Sequence, residues 1–436
     1  MVRKLLIIFI FFSFITQTLT EDGLLSRLTL CDLFGFLAVV FYWIEHKEFR
    51  ISKITFRAFF LCILLLVGGI LGFDLLQTLS ELVILAFLIM TFQTITNSFC
   101  TPKHWKSLIK IIAFTLIICV IVGFWDLYGP QFGIPTIFPA RSEGEMKSGF
   151  RNAGQAGAYA LMFLSILLPV RLSQAKYLFT KPEFNRLNLS IFAGIVFLFL
   201  TAKISGYIGF AAGYLLYFIL KRKFLPVLVI GTIVILLVLL LPTLQKVSPS
   251  VYNRMEQKIQ SRVIERYKWL NSEKNKIDEG GEDFFRNNWG DAINSFAERP
   301  LSGTGIGAFT DSKYGKYEVH STYLKMVGEG GILGIIGYLI LLAAVFGLFR
   351  FPFILHSASI NPYRDYLLNA FPFFLGCLIS WTYTYHLRKR EFWIMLAVFF
   401  IAHVLALRFE NERRKFTLKA FNHHTDKIPE VKTVLN

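Results

Sequence analysis

Residues 285–331 read FRNNWGDAINSFAERPLSGTGIGAFTDSKYGKYEVHSTYLKMVGEGG and form a polar, structured segment between long hydrophobic runs. Its first part predicts a helix with one apolar face, because large or small apolar residues recur at steps of three and four. These residues are Phe285, Trp289, Ala292 and Phe296. Pro300 predicts the end of this helix, because proline cannot continue a helix and disfavours helical geometry in the residue before it.

A glycine-rich turn and a single histidine follow this helix. Gly303, Gly305 and Gly307 predict a tight reversal of the backbone. This glycine triplet is not a nucleotide-binding P-loop, because no strand precedes it and the Lys-Ser/Thr pair of that motif is absent. His320 is the only histidine of the segment 243–320, and it stands just before the next apolar run.

The composition indicates a multi-span membrane protein. The chain has 436 residues, of which 54% are hydrophobic and 16% aromatic, more than a soluble domain carries. The formal net charge of +17 does not indicate a nucleic-acid partner, because most of it lies in short loops between apolar runs. The five cysteines lie in or beside those runs, which favours neither a disulfide framework nor a cysteine-based zinc site.

About twelve apolar runs are long enough to be membrane helices, which need roughly 20 residues each. They are residues 3–20, 28–44, 55–73, 76–96, 107–128, 152–171, 189–202, 205–220, 224–242, 321–348, 366–386 and 392–408. The first run has a basic start and could be a cleaved signal peptide. Because Thr18-Leu19-Thr20 matches a cleavage site poorly, an uncleaved helix is the preferred interpretation.

The distribution of basic residues predicts the topology. With the N-terminus inside, the inner loops hold a group of lysines and arginines, as the positive-inside rule requires. This group is Lys47, Arg50, Lys53, Lys103, Lys106, Arg171, Lys176, Lys181, Arg186, Lys221, Arg222 and Lys223. Two long segments, 129–151 and 243–320, are then outside. The cluster Arg388-Lys389-Arg390 also falls outside, so either the last two helices are misplaced or this cluster contacts anionic lipid.

Residues 254–276, rich in both signs of charge, are either a solvated amphipathic helix or a surface for an anionic saccharide or headgroup.

The ordered motifs resemble the O-antigen ligase and O-antigen polymerase superfamily. The pattern consists of Arg286-x-x-Trp289, the glycine-rich stretch from Pro300 to Phe309, His320 to Leu324, and Glu329 to Gly334. Two further stretches are similar to family elements: Ser148 to Gly157, which lacks the usual Pro-Asn, and Phe199 to Lys203, where arginine is usual at position 203.

This resemblance implies an all-α, GT-C-like glycosyltransferase in the bacterial cytoplasmic membrane, with its active site facing the periplasm. The implied donor is a glycan on undecaprenyl pyrophosphate. The acceptor is a hydroxyl of lipid A-core for a ligase or of a lipid-linked repeat unit for a polymerase, with other polysaccharide-assembly proteins as partners. The predicted parts are transmembrane helices (1–242), a large periplasmic loop (243–320), further transmembrane helices (321–409) and a cytoplasmic tail (410–436). The ligase-like activity is preferred, and neither a cofactor nor a metal ion is implied.

His320 is the candidate catalytic base, because histidine takes up a proton near neutral pH and this one stands where a lipid-linked donor presents its reactive end. The alternative is a histidine that packs against or caps the helix. For the pyrophosphate, the candidates are Arg286, Arg151, Arg141 and Lys203. Arginine suits this role because its fork donates two parallel hydrogen bonds to phosphate oxygens, whereas lysine acts as a point charge.

Glu329 and Trp289 are candidate supporting residues. On a continuous helix Glu329 would lie about 13 Å beyond His320, too far to orient it. An ionisable group at such a depth needs a role or a partner, and pairing with Lys325 is the structural alternative.

Glu21-Asp22 resembles the acidic pair of metal-dependent GT-C enzymes, but a polar turn between helices accounts for it equally well. The rival of another class is a transporter of lipid-linked sugars, which would show charges in several spans and pseudo-repeated halves.

Overall fold

The computed structural model describes residues 1–16, 29–46, 51–138, 146–201, 203–222, 283–313, 319–354 and 361–425, with isolated positions between 243 and 256. In these ranges the chain is helical. The helices are α1 (Val2–Phe11), α2 (Leu30–Glu45), α3 (Lys53–Ile70), α4 (Leu75–Ser98), α5 (Pro102–Tyr128), α6 (Ala153–Leu172), α7 (Lys181–Leu200), α8 (Ile204–Leu220), α9 (Asp283–Glu298), α10 (Thr322–Gly328), α11 (Gly331–Ile354), α12 (Pro362–Ser380) and α13 (Arg390–Thr425).

Seven of the helices in the described ranges are long and apolar enough to cross a membrane, which confirms the prediction of an all-α, multi-pass membrane protein. Large apolar side chains such as Phe56 and Leu76 are exposed on the surface of the bundle, as expected of helices that face lipid. The predicted span 224–242, the acidic pair Glu21-Asp22 and almost all of 254–276 lie outside the described residues.

The helix ends form two distinct faces of the bundle. One face, which we call the basic end, contains the starts of α1, α5 and α7. At this face the Nζ of Lys106 on α5 lies 2.6 Å from the carboxylate of Glu183 on α7. The opposite face, which we call the cleft end, joins the starts of α2, α4, α6 and α13. Asp32 and Arg390 form an ion pair there. The loops predicted to be basic and cytoplasmic therefore lie at one end, and the motif-bearing segments lie at the other.

Helix α6 is the central helix of the bundle and packs against α5, α7, α8, α12 and α13. Apolar residues occupy every face of this helix, and 89% of its span is buried. This is the pattern of a helix that is surrounded by protein. Asn152 caps its start by accepting a hydrogen bond from the backbone N–H of Gln155 at 2.9 Å. The motif Ser148–Gly157 is thereby fixed at the centre of the cleft end.

The predicted continuous span 321–348 is wrong, because the chain breaks between α10 and α11. The backbone carbonyls at the break accept hydrogen bonds from the glycine-rich turn: Thr304 donates to Gly328 at 3.0 Å and Gly305 to Glu329 at 3.0 Å. Hydropathy cannot reveal this break, since the residues on both sides are apolar. Glu329 therefore does not lie on one continuous helix with His320.

Two other predicted spans also differ from the observed helices. The span 189–202 is in fact the second half of a 20-residue helix that starts at Lys181, behind a capping box made by Thr180 and Glu183. The span 366–386 ends as a helix at Ser380, and residues 381–389 form a loop at the cleft end, which we call the α12–α13 loop.

Candidate active site at the cleft end

The glycine-rich turn, residues 300–309, is built around the break between α10 and α11. Gly303 and Gly307 have φ angles of +59° and +85°, and a Cβ on Gly303 would lie 2.4 Å from the carbonyl oxygen of Gly328. A side chain at that position would be excluded both by the backbone conformation and by the contact. The predicted tight reversal is confirmed.

Glu329 is the buried side chain that holds this turn. Its Oε2 accepts a hydrogen bond from the backbone N–H of Gly307 at 2.6 Å, and its Oε1 lies 3.3 Å from the Nζ of Lys325. Lys325 is also buried, with its Nζ 4.6 Å from the ring centroid of Tyr385. The structure thus contains the ion pair that the sequence offered as the structural explanation for Glu329.

Helix α9 has the predicted apolar face and the predicted end. Ala292 lies so close to Gly328 that a Cβ on this glycine would be 2.9 Å away, and Ser295 donates to the Gly328 carbonyl at 2.8 Å. Just after the helix, the guanidinium of Arg299 lies 3.9 Å above the ring of Phe73, at the end of α3. These contacts fasten the second half of α9 to α10 and to the turn between α3 and α4. Trp289 is half-buried on this helix.

His320 is exposed between two anchored neighbours. Before it, Val319 is buried against Phe309 of the glycine-rich turn. After it, Ser321 caps α10 by accepting from the backbone N–H of Leu324 at 3.3 Å. The imidazole is therefore presented at the surface from a backbone that is fixed on both sides.

Thr322 ties the start of α10 to the α12–α13 loop. Its backbone N–H donates to the carbonyl of Trp381 at 3.0 Å, and its hydroxyl donates to the carbonyl of Thr384 at 2.8 Å. The same hydroxyl accepts from the backbone N–H of His386 at 3.1 Å. Since Thr322 follows His320 by two residues, this junction sets where the histidine stands.

If His320 acts as the base that the motif resemblance implies, we expect Thr322→Val to lower the implied transfer activity by about 10- to 100-fold, the range for a small displacement of a reacting group. The substitution keeps the shape of the side chain but removes both hydroxyl hydrogen bonds. Transfer would be measured in membranes that hold equal amounts of each variant. Thr322→Ser should retain activity, and Thr382→Val, at a half-buried position in the same loop, is the control. Equal activity of Thr322→Val and wild type would show that this junction does not position the histidine.

His386 is buried beside the same junction, with its ring 5.3 Å from that of Trp381. Burial and the positive charges of Lys389 and Lys203 lower the pKa of His386 well below its ordinary value. Within the described part of the chain, neither ring nitrogen has a hydrogen-bond partner. The side chain is therefore uncharged at neutral pH and does not add to the positive charge of the site.

A cleft of about 430 Å³ opens at the cleft end between α2, α4, the start of α6, the glycine-rich turn and the start of α13. It is lined by Thr16, Thr29, Asp32, Gln77, Glu81, Val83, Ile84, Phe87, Leu88, Phe150, Arg151, Gln155, Gly307, Phe309, Thr310, Glu329, Arg388, Lys389, Arg390 and Glu391. One wall is apolar and belongs to α4, while the remainder is polar and carries charges of both signs. Such a cleft suits a ligand with an apolar and an anionic part.

Two of the arginines in the cleft are already paired. Arg388 lies 2.5 Å from Glu81, and Arg390 donates to both carboxylate oxygens of Asp32 and to the Thr29 hydroxyl. Arg151 differs from them: its side chain is exposed, and the structure gives its guanidinium no ionic partner among the described residues. Its backbone N–H donates to the hydroxyl of Thr16 at 2.7 Å, which holds it at the edge of the cleft.

The predicted site residues are placed as follows. Arg151 lines the cleft. His320 is not among the lining residues; it follows Val319, which packs in one cluster with Phe309 of the cleft lining. Lys203 packs against the first turns of α6, where a Cβ on Gly154 would be 3.3 Å from its Nζ. Position 286 lies in α9, but its side chain is outside the described part, as is the whole of Arg141.

The sequence alone did not assign the two ion pairs of the cleft to the site. Signals for them were present: Asp32 and Glu81 are acidic residues in or beside apolar runs, and Arg388-Lys389-Arg390 broke the positive-inside rule. Pairing across the bundle accounts for four of these five charged groups, namely Asp32, Glu81, Arg388 and Arg390. In the described ranges, no three His, Cys, Asp or Glu side chains are grouped so that they could hold a metal ion.

Comparison with known families agrees with this architecture. The O-antigen ligase family model matches residues 189–339, a range that contains the second half of α7, then α8, α9, the glycine-rich turn, His320, α10 and the start of α11. This match supports membership of the O-antigen ligase and polymerase superfamily, which the motifs predicted. No curated protein matches the chain.

Proposed function

We propose that this protein is an O-antigen ligase-like glycosyltransferase that moves a glycan from undecaprenyl pyrophosphate to an acceptor hydroxyl, that of lipid A-core. The observation that supports it most directly is the exposed, ionically unpartnered guanidinium of Arg151, in a cleft whose described neighbouring arginines are paired with carboxylates. A pyrophosphate is the ligand that best suits an arginine fork left in this state.

The proposed location is the inner membrane, with the cleft facing the periplasm. Basic loops are retained on the cytoplasmic side of a membrane. Lys53, Lys181 and Arg222 all lie at the basic end, opposite the cleft. A lipid-linked donor that has crossed the membrane would then meet the cleft from the outer leaflet.

The apolar wall of the cleft is the proposed binding surface for the lipid chain of the donor. It consists of Val83, Ile84, Phe87 and Leu88 on α4, and Val83 is 67% exposed. The polyprenyl chain would lie along this wall, with its pyrophosphate at Arg151. Lys203, Arg286 and Arg141 remain the proposed further cations for the same phosphates.

In the proposed reaction, His320 takes the proton of the acceptor hydroxyl as its oxygen attacks the anomeric carbon of the donor sugar. The bond from that carbon to the pyrophosphate oxygen breaks, and the pyrophosphate leaves with the electron pair. Arg151 compensates the charge that the leaving group gains. Side-chain cations perform this compensation, so the proposed transfer is metal-independent.

The same site would also serve an O-antigen or exopolysaccharide polymerase, in which the attacking hydroxyl belongs to a second lipid-linked repeat unit. Both reactions need the same parts: a catalytic base, cations that bind the pyrophosphate, and an apolar wall for the polyprenyl chain. The two activities differ only in the acceptor, so the stalled intermediate distinguishes them.

The test is glycan display in cells that lack the protein and are complemented with wild type, Arg151→Gln, Arg151→Lys or the control Arg222→Gln at the basic end. We expect Arg151→Gln to leave the glycan on its lipid carrier, Arg151→Lys to restore part of the transfer, and Arg222→Gln to behave as wild type. The stalled carrier would bear full-length chains for a ligase and single repeat units for a polymerase. Normal display by Arg151→Gln at normal membrane level would refute the proposed phosphate role.

A further inference from the structure

A second cavity lies far from the active site, at the basic end of the bundle. It is a groove of about 630 Å³ between α1, α5 and α7. Its lining residues are Ile7, Ile8, Phe11, Ser107, Ile109, Lys110, Ile111, Ala113, Phe114, Ile117, Phe179, Glu183, Arg186, Leu187 and Ser190. We call it the basic-end groove.

The inner part of the basic-end groove is apolar and faces the membrane. Phe114 is 54% exposed there, and its ring is stacked on that of Phe11 with the centroids 5.8 Å apart. From Lys110 to Ile117 the groove follows α5 for roughly 10 Å into the bilayer, at 1.5 Å per residue. An apolar recess at this depth takes a hydrocarbon chain, because water has no polar partners there.

The outer rim of the basic-end groove is cationic. Glu183 accepts from Lys106 at 2.6 Å and from Lys110 at 3.1 Å, so one carboxylate is shared by two ammonium groups. Arg186 is exposed on the next turn of α7, and no ionic partner is present for it among the described residues. Three cations and one carboxylate leave the rim positively charged.

The lining of α5 and α7 changes from mainly charged to mainly apolar in the same direction, and the lining of α1 is apolar throughout. On α5 and α7 the charged rim residues come first and the apolar residues follow towards the bilayer centre, and on α1 the lining begins at Ile7 and continues to Phe11. Charge at the level of the headgroups and an apolar recess below it match the two parts of a phospholipid. Basic pockets between transmembrane helices on the cytoplasmic side bind anionic headgroups in this way.

We propose that the basic-end groove binds an anionic diacyl phospholipid from the leaflet at the basic end. Its phosphate lies between Lys110 and Arg186, and one acyl chain lies against Phe11, Phe114 and Ile117. This site is separate from the proposed catalytic cleft, and its occupancy does not depend on the proposed reaction.

The test uses the full-length chain, stripped of lipid in detergent and titrated with dioleoyl phosphatidylglycerol or dioleoyl phosphatidylcholine in native mass spectrometry. We expect wild type to bind phosphatidylglycerol in preference to phosphatidylcholine. Lys110→Gln/Arg186→Gln should bind phosphatidylglycerol about 30-fold more weakly, since each cation near the surface contributes about fivefold. Arg57→Gln/Lys221→Gln, which removes two basic-end charges outside the groove, is the matched control.

A third variant separates the contribution of the lipid's acyl chain from that of its headgroup. Phe114→Ala leaves the rim intact and should weaken phosphatidylglycerol binding without restoring phosphatidylcholine binding. Glycerol 3-phosphate, which has no acyl chains, should not displace the bound lipid. Equal binding of the two lipids by wild type, or equal losses in the groove variant and the control pair, would overturn the proposal.

Discussion

His320→Ala is expected to lower glycan transfer by about 10²- to 10⁴-fold, the usual contribution of a positioned general base. The imidazole is exposed, and the buried Val319 and the helix cap at Ser321 fix the backbone around it. Its removal therefore leaves the packing of the site unchanged while it removes the proton acceptor. Transfer would be measured with a lipid-linked glycan donor and purified protein, at saturating donor, so that donor binding does not limit the rate.

The matched control is His46→Gln. This histidine lies at the basic end, stacked on Tyr42 with ring centroids 4.3 Å apart, and has no contact with the cleft. Donor binding should be similar in wild type, His320→Ala and His46→Gln, because the arginines remain. If His320→Ala binds donor and transfers glycan at the wild-type rate, the base is another group. If it loses donor binding along with transfer, the histidine is a ligand of the donor and not the base.

The sequence located the parts of the site but not the connections among them. Periodicity predicted α9 and its end at Pro300, and the three glycines predicted the turn, because both signals are local. The break between α10 and α11 depends on hydrogen bonds from Thr304 and Gly305, about 24 residues earlier in the chain. Hydropathy reports only that the run is apolar, so it predicted one unbroken helix, and the separation of about 13 Å between His320 and Glu329 that rested on that helix no longer applies.

The charges of the cleft are a second case in which a local sequence pattern did not predict a contact between distant residues. Positive-inside counting marked Arg388-Lys389-Arg390 as misplaced, since it assigns each basic residue to a loop without regard to its partner. In the structure two of the three are neutralised by Glu81 and Asp32, which lie on helices more than 300 positions earlier. An ionisable residue on a membrane helix indicates that a partner exists, but the identity of this partner comes only from the packing of the helices.

The pair of Asp32 and Arg390 is expected to be the largest single electrostatic contribution to the stability of the cleft end. Arg390 donates to both carboxylate oxygens, at 2.6 and 2.5 Å, and the two side chains are only 9% and 13% exposed. Arg390→Met would leave a buried carboxylate without its cation, which costs about 3–5 kcal/mol of unfolding free energy. Thermal unfolding of the purified protein in one detergent would measure this as a lower midpoint.

Two comparisons distinguish a buried pair from an ordinary surface charge. Lys313→Gln breaks an exposed pair with Glu298 and should change the unfolding free energy by about 0–1 kcal/mol. Asp32→Leu/Arg390→Met removes both buried charges and should recover most of the stability lost in Arg390→Met, because no charge is left unpaired. If Arg390→Met unfolds at the wild-type temperature, water reaches Asp32 and the pair does not hold α2 to α13.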